Sequence, residues 1–231
     1  MVVRFRARGH IMRITIFGAA GPTGLWTCSE ALRAGHSVTA ISRRSDPLPL
    51  PTNDRLTVAR ADAHSGEGVA EAVTGADAVI STLGAPYGRR PISIYSSGTR
   101  TIVEAMRSHA AGDRLVVVSS GLTYPPPAMN WAADHLLFPF LRNVLGRTLY
   151  ADMRRMEEYL RSIDDIAWTI MRPGRLIDAD HVSDYVVDFD HPKHGFTTRP
   201  NLAAAMVAEA EDSAHARKAV APTTTKEGRR R

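Results

Sequence analysis

Cysteine is almost absent from this chain of 231 residues, which contains only Cys28. A single cysteine cannot form an internal disulfide, and such usage fits a reducing compartment. No apolar run approaches the roughly 20 residues that a membrane-spanning helix needs, and Met1–His10 lacks the apolar core of a signal peptide. We therefore expect a cytoplasmic protein with no membrane partner, in which Cys28 is a buried small residue.

A strong charge imbalance is also absent once the two ends of the chain are set aside. The net charge of +5 comes from the first ten and the last six residues, and residues 12–221 carry a net charge of about −1. The sequence therefore offers no basic domain face for a nucleic acid. We expect residues 1–12 to be a flexible extension, residues 222–231 a disordered basic tail, and residues 13–221 a single domain.

What the sequence does contain is a strand, a glycine-rich turn, a helix and a second strand within Arg13–Arg44. A β-branched run ends at Gly18, the turn carries Gly21 and Gly24, and a helical segment follows to Ala34. Glycines let the backbone turn tightly beside a pyrophosphate, and the free N–H groups of a helix N-terminus bind its charge. The residues predicted to bind a dinucleotide in this way are Gly18, Ala19, Gly21, Pro22, Thr23 and Gly24.

The second strand, Ser37–Ser42, is followed directly by Arg43 and Arg44. In a dinucleotide-binding fold this strand ends beside the adenosine ribose, where an acidic residue binds the 2′-hydroxyl of NAD and an arginine pairs with the 2′-phosphate of NADP. Ser42 and the two arginines therefore favour NADP(H) over NAD(H). The alternative is that both arginines are solvated loop charges.

Further apolar runs predict four more strands, separated by helical stretches: Leu56–Arg60, Ala78–Thr82, Arg114–Val118 and Ala167–Arg172. This alternation predicts an α/β fold of the Rossmann type, a doubly wound and mostly parallel sheet with helices on both faces. Ligands collect at the carboxyl ends of such strands. The candidates there are Asp62, Ala63, Leu83, Gly84, Ser119, Ser120, Pro173 and Gly174. Ordinary capping and turn chemistry is the alternative for these residues.

An apolar insertion at residues 131–147 carries Trp131, Phe138 and Phe140. It predicts helical structure that serves as a lid, as an interface, or simply as part of the core.

Residues 174–200 predict a small lobe on the substrate side of the domain. The lobe holds three histidines, His181, His191 and His194, which together with Asp188 and Asp190 suggest a metal site. Their spacing matches no metal signature, and a period of two would place the aspartates together on a solvated strand face, so we expect no metal.

Several motifs together resemble one family: GAAGPTG, DAVISTLGAP, RLVVVSSG, YADMRRMEEYL and AWTIMRPGRL. The chain resembles the NAD(P)H-binding, NmrA-like branch of the atypical short-chain dehydrogenases/reductases, in particular its biliverdin reductase B / flavin reductase-like group, over about Arg13–Val220. The resemblance implies that NADP(H) is held by the glycine turn, with Arg43 on the 2′-phosphate. It also implies that the nicotinamide lies against Pro173 and Gly174 and that Ser120 lies near the substrate.

One departure from that family concerns the catalytic pair. Typical short-chain dehydrogenases use Tyr-x-x-x-Lys, in which the tyrosine exchanges a proton with the substrate and the lysine lowers the tyrosine's pKa. Counting back from Leu160 places these positions at Leu149 and Met153, as the apolar register favours. A shift of one residue gives Tyr150 and Arg154, which lie four apart on one helix face.

Without a tyrosine acid, the chemistry left is hydride transfer to an acceptor that needs little help from protein groups. A planar conjugated acceptor such as a flavin, a quinone or a linear tetrapyrrole fits, with FMN or FAD acting as substrate and not as bound cofactor. The alternative is a non-catalytic, NmrA-like NADP(H)-sensing or interaction protein. A third possibility, an isomerase or epimerase of sugar nucleotides, is the one that the missing tyrosine disfavours most. We expect a monomer or a homodimer.

Overall fold

An eight-stranded sheet runs through the computed structural model, which describes residues 11–44, 46–88, 90–128, 131–193 and 195–225. The strand order is β3-β2-β1-β4-β5-β6-β10-β8, and all neighbours are parallel except β8, which is antiparallel to β10. A separate parallel pair joins β7 and β9. The strands are β1 (Arg13–Phe17), β2 (Ser37–Ser42), β3 (Leu56–Arg60), β4 (Ala78–Ser81), β5 (Arg114–Val118), β6 (Ala167–Met171), β7 (Arg175–Ile177), β8 (Tyr185–Phe189), β9 (Phe196–Thr198) and β10 (Lys218–Thr224).

Helices cover both faces of this sheet. They are α1 (Pro22–Arg33), α2 (Val69–Val73), α3 (Ile94–Ser108), α4 (Phe138–Phe140), α5 (Arg147–Arg161) and α6 (Arg199–Glu211). One apolar core lies between the sheet and α2, α3 and α5, and a second lies between the sheet and α1 and α6. Strands covered on both faces need apolar residues at successive positions, as β4 and β5 have. The predicted doubly wound α/β fold is confirmed.

Helix α5 is amphipathic, and its register decides which side chains reach the site. Leu149, Met153, Met156 and Leu160 are buried in the core between α5 and the sheet, as expected for apolar residues that recur every three or four positions. None of the helices among the described residues is long and apolar enough to cross a membrane.

The C-terminal part of the sheet differs from the prediction. The sequence predicts an edge strand at Ala219–Val220 and a disordered tail from Pro222, but β10 continues to Thr224 and lies between β6 and β8. Thr223 and Thr224 are fully buried. The pairing partner that orders them is β8, more than 30 residues earlier in the chain, and a pairing over that distance leaves no local sequence signal. Lys226–Arg231 and Met1–His10 lie outside the described residues.

The insertion is helical, but its apolar side chains do not join the core. Two π-helical turns, Ala133–Leu137 and Leu141–Leu145, flank α4. The large apolar side chains left exposed are Trp131, Leu136, Leu137, Phe140, Val144 and Leu145. The core-packing alternative is therefore wrong for these residues. The insertion ends at Gly146, the residue before α5.

Candidate active site

The parallel sheet brings the predicted loops to one edge, because β1, β2, β3, β4, β5 and β6 all point their carboxyl ends the same way. The tightest of these loops joins β1 to α1. Gly18 has a φ of 78°, and a Cβ on it would lie 2.8 Å from the Thr82 carbonyl oxygen. A Cβ on Gly24 would overlap the Gly18 carbonyl oxygen. Only glycine fits either position, so the turn keeps its backbone open toward the sheet edge.

The N-terminus of α1 is suited to an anion. The N-cap, Gly21, offers no side-chain hydrogen bond, Pro22 takes the first helical position, and the first turn carries no acidic residue. Thr23 and Gly24 follow in that turn, where backbone N–H groups have no partner within the helix. The buried Ala19 donates its N–H to the Ile41 carbonyl at 3.0 Å and ties the turn to β2. The glycine turn therefore fits a pyrophosphate.

Arg43 and Arg44 follow β2 and are both exposed. The N–H of Arg44 donates to the Ser42 hydroxyl at 3.1 Å, which turns the chain away from the sheet. Neither arginine forms an ion pair with another described residue. Both cations therefore lie at the strand end where an adenosine 2′-phosphate is expected.

The loops after β3 and β4 lie next along the same edge. Asp62 accepts a hydrogen bond from the His64 N–H at 2.8 Å, and Ala63 is buried in the core beside α3. Leu83 is half-buried and Gly84 is exposed, with the Tyr95 hydroxyl 3.8 Å from where a Cβ of Gly84 would lie. These four residues border the predicted cofactor cleft, although the Asp62 carboxylate also closes its own loop.

The side chains of Ser119 and Ser120, which follow β5, have different surroundings. Ser119 is buried, and its hydroxyl donates to Glu157 at 2.6 Å and lies 3.0 Å from the Thr123 hydroxyl. Its predicted contact with the cofactor is therefore not supported by its side chain, which faces the interior. Ser120 is half-buried and accepts from the Leu122 N–H at 3.2 Å.

Burial raises the pKa of the Tyr150 phenol, and the Tyr87 hydroxyl, 2.7 Å from the Tyr150 oxygen, raises it further. Ser120 lies close enough to lower that pKa. Hydroxyls from the loops after β4 and β5 thus lie near the phenol of Tyr150 on α5, which is neutral at physiological pH.

The two registers that the sequence left open for the catalytic pair are now distinguishable in space. Leu149, Tyr150 and Met153 are all buried in the core beside α5, and Tyr150 is the one whose hydroxyl lies close to Ser120. The guanidinium of Arg154 donates at 3.3 Å to the carbonyl of Thr123, three residues after Ser120 in the same loop. The shifted pair, Tyr150 and Arg154, is therefore the one that meets the end of β5.

A buried ion pair between Glu157 and Arg172 stabilises the region around Ser120 and Tyr150. Glu157 is fully buried and accepts from both Arg172 and Arg161 as well as from Ser119. Arg172, just after β6, also pairs with Asp190 at 3.3 Å. This network joins the loops after β5 and β6 to α5 and to the end of β8, and it explains why a charged residue occurs on the buried face of α5.

Pro173 and Gly174 form the turn beside Ser120. The Gly121 N–H donates to the Pro173 carbonyl at 2.9 Å, and the Gly174 N–H donates to the Thr197 hydroxyl at 3.0 Å. Thr197 in turn donates to the Pro222 carbonyl at 2.6 Å. The turn that is predicted to face the nicotinamide is therefore held by β9 and by the C-terminal strand.

The aspartates of the lobe do not share a solvated face. Asp188 is mostly buried and pairs with Lys193 at 2.7 Å, whereas Asp190 is exposed, with a φ of 59°, after β8 has ended. Within the described ranges no three His, Cys, Asp or Glu residues are grouped to hold a metal; His194 lies outside them.

Sequence reasoning missed Tyr87, Glu157 and Thr197. Glu157 had a usable signal, because a carboxylate on the buried stripe of an amphipathic helix needs a cationic partner. Tyr87 lies in an irregular segment and Thr197 in the short strand β9, and the partners of both are distant in sequence, so no local pattern identifies them.

Comparison with known proteins agrees with this architecture. Residues 18–213 match the model of a family described as NAD(P)H-binding. A 3-beta-hydroxysteroid dehydrogenase from Mycolicibacterium neoaurum is 32% identical over a match that covers 42% of this chain. The match spans only 29% of that dehydrogenase.

Two solved structures share nearly the whole fold. A wide-type short-chain dehydrogenase/reductase from Veillonella parvula DSM 2008, in complex with NADP, has a TM-score of 0.75 at 20% identity and covers 95% of this chain and 97% of its own. A proposed NADH-flavin reductase from Streptococcus pneumoniae TIGR4 has a TM-score of 0.74 at 21% identity and covers 93% and 100%. At these identities the likeness concerns the fold.

Proposed function

This chain belongs to the NAD(P)H-binding family, and from that premise we propose that it is an NADPH-dependent reductase that transfers hydride to a planar conjugated acceptor. The observation that carries the proposal is the buried Tyr150 hydroxyl, which lies 2.7 Å from the Tyr87 hydroxyl and close to Ser120 at the carboxyl end of β5. It puts a proton-donating pair beside the Pro173–Gly174 turn, on the same sheet edge as the glycine turn.

The residues present fit NADP(H). The open turn of Gly18 and Gly24 and the N-terminus of α1 accept the pyrophosphate, and Arg43 or Arg44 accepts the 2′-phosphate. Pro173 and Gly174 provide a flat wall for the nicotinamide. When bound, NADPH supplies the hydride and its two electrons, and the protein supplies orientation and exclusion of water.

Ser120 and Tyr150 hold a proton at the position where an acceptor gains negative charge. Since burial keeps Tyr150 protonated, the pair acts as a hydrogen-bond donor toward a carbonyl or ring nitrogen and completes the reduction by donating a proton. Arg154 is the cation nearest in role to the family's lysine, but it donates to a backbone carbonyl. We infer that it shapes the loop after β5.

The acceptor class is a flavin, a quinone or a tetrapyrrole-like molecule, taken as substrate. The proposed NADH-flavin reductase with this fold supports a flavin as one member of the class. Gly84 is exposed, and a Cβ at this position would come no closer than 3.8 Å to its nearest neighbour, the Tyr95 hydroxyl. This position leaves room for an extended ring.

The test is oxidation of NADPH by the purified chain with FMN, biliverdin or a simple quinone. The reaction is measured as the loss of absorbance of the reduced nicotinamide. We expect turnover with at least one acceptor, and Tyr150→Phe should lower kcat by about 100-fold while NADP(H) still raises the thermal midpoint. Met153→Leu on the same helix is the matched control and should keep both properties. No oxidation of NADPH with any acceptor would contradict the proposal.

A second candidate is a non-catalytic NADP(H) sensor. One observation favours it: Tyr150 is only 1% exposed, because Tyr87 covers its hydroxyl. A sensor would bind NADP(H) and show no turnover, and Ser120→Ala would change neither property.

A further inference from the structure

Tyr87 connects the buried hydroxyl of Tyr150 to solvent. The two phenol oxygens are 2.7 Å apart, and either one can donate. The rings meet edge to face, with centroids 6.2 Å apart and an interplanar angle of 68°. Tyr87 is 52% exposed, whereas Tyr150 is 1% exposed. Tyr87 is therefore the residue of this pair whose side chain reaches water.

The loop that carries Tyr87 is fixed on both sides of it. Before Tyr87, the Ala85 N–H donates to the Tyr95 hydroxyl of α3 at 3.1 Å. After it, the Thr148 hydroxyl of α5 donates to the Gly88 carbonyl at 3.0 Å. Because both anchors come from helices that pack on the core, the contact between the two phenols is a built feature and not a chance meeting of a surface side chain.

We propose that Tyr87 is the solvent end of a proton relay, Tyr87 to Tyr150 to Ser120, that supplies the acceptor with its proton. The relay rests on the proposed reductase function. As the hydride leaves NADPH for the acceptor, Ser120 gives its proton to the acceptor and takes one from Tyr150. Tyr150 takes one from Tyr87, and Tyr87 takes one from water. The acceptor gains a hydride and a proton, NADPH becomes NADP⁺, and all three hydroxyls end neutral.

A relay is needed because Tyr150 has no route of its own to water. A phenolate left at Tyr150 would be a buried charge, which is costly to leave unpaired. The groups that act on this phenol are Tyr87, Ser120 and Tyr95, from three different elements, and none is a cation that would stabilise the anion. Proton replacement through Tyr87 avoids the phenolate. Tyr87 thus acts through Tyr150, as a positioning and relay residue.

The test compares Tyr87→Phe with the unchanged protein in NADPH oxidation by a quinone. The phenylalanine keeps the ring contact and removes only the hydroxyl. We expect kcat to fall about tenfold, with KM and the NADP(H)-induced rise in thermal midpoint unchanged. We also expect kcat of the variant to fall as pH rises from 6 to 8 and to recover when imidazole buffer is increased, because an external acid then replaces the relay. Tyr159→Phe, whose ring lies under Arg100 at the far end of α5, is the matched control and should show neither effect.

The outcomes separate the relay from the function on which it rests. If the unchanged protein oxidises NADPH and Tyr87→Phe has the same kcat, the relay is wrong and the function stands. A lower kcat that does not respond to buffer acid, or a change confined to KM, also contradicts the relay, since it assigns the hydroxyl a purely structural role. No turnover by the unchanged protein overturns both.

Discussion

The two halves of the cleft are built in different ways. The proposed cofactor half, at the ends of β1 and β2, is made by residues close together in sequence: Gly18 to Gly24, and Ser42 to Arg44. The reaction half, around Ser120 and Tyr150, is held by partners that lie far apart, such as Glu157 with Arg172 and Thr197 with Pro222. A local motif can encode a phosphate cradle, whereas the reacting end depends on how α5, the lobe and the last strand pack. We therefore expect substitutions in the two halves to have different effects on the protein.

The largest expected effect is in the cofactor half. Gly24→Ala places a Cβ on the Gly18 carbonyl oxygen, so the turn must open. We expect loss of the NADP(H)-induced rise in thermal midpoint, which in the unchanged protein follows from binding to the native state alone. Gly21→Ala is the matched control, because its Cβ would lie 3.3 Å from the same oxygen, and should weaken the rise only in part. A full rise in Gly24→Ala would show that the turn does not bind the cofactor.

The proposed cofactor half can be recognised in the sequence more readily than the reaction half, for a physical reason. Glycine spacing and the arginines after β2 act through the local backbone, so they can be recognised in a single stretch. The choice between Leu149 with Met153 and Tyr150 with Arg154 depends on one residue of helical register. Apolar periodicity identifies the buried Leu149 and Met153 but carries no information on which hydroxyl lies close to Ser120. The extension of β10 to Thr224 depends on pairing with β8, and no local sequence pattern identifies β8 as its partner.

The next largest effect is in the reaction half, where Glu157→Ala would leave Arg172 without its buried carboxylate and with only the exposed Asp190 as a partner. We expect a loss of about 3–5 kcal/mol in the free energy of unfolding, since removing one partner of a buried pair leaves an uncompensated charge. Glu158→Ala, at the exposed neighbouring position of α5, should change stability by less than about 0.5 kcal/mol. Chemical denaturation measures both. Equal stability in the two variants would mean that the network does not support the site.

A smaller effect sharpens the cofactor half. Arg43→Ala removes one of the two exposed cations at the end of β2, and we expect the affinity for NADPH to fall about tenfold while the affinity for NADH stays the same. Arg55→Ala, an exposed arginine that donates to the Gly35 carbonyl, is the control and should change neither affinity. Titration calorimetry with both cofactors would show the difference. An equal change for NADPH and NADH would remove the role of Arg43 on the 2′-phosphate.

The smallest effect concerns a hydroxyl on β8, the strand that orders the C-terminal part of the reaction half. The Tyr185 hydroxyl is buried without a partner among the described residues, and burial raises the pKa of Tyr185. Because burial disfavours the tyrosinate form, the fold loses stability as pH rises from the unfolded pKa, about 10, toward the raised folded pKa. We expect Tyr185→Phe to stabilise the protein by about 1 kcal/mol at neutral pH and to reduce the fall in thermal midpoint above about pH 10. A variant as sensitive to alkali as the unchanged protein would contradict this.

The most direct measurement of the central claim, that both halves of the cleft act on one dinucleotide, is a crystal structure with NADP⁺ bound. We predict the pyrophosphate at the N-terminus of α1, the 2′-phosphate at Arg43 or Arg44, and the nicotinamide against Pro173 and Gly174 with its C4 facing the Ser120 hydroxyl. A nicotinamide that lies away from Pro173 and Gly174, or a dinucleotide bound elsewhere on the chain, would contradict the account.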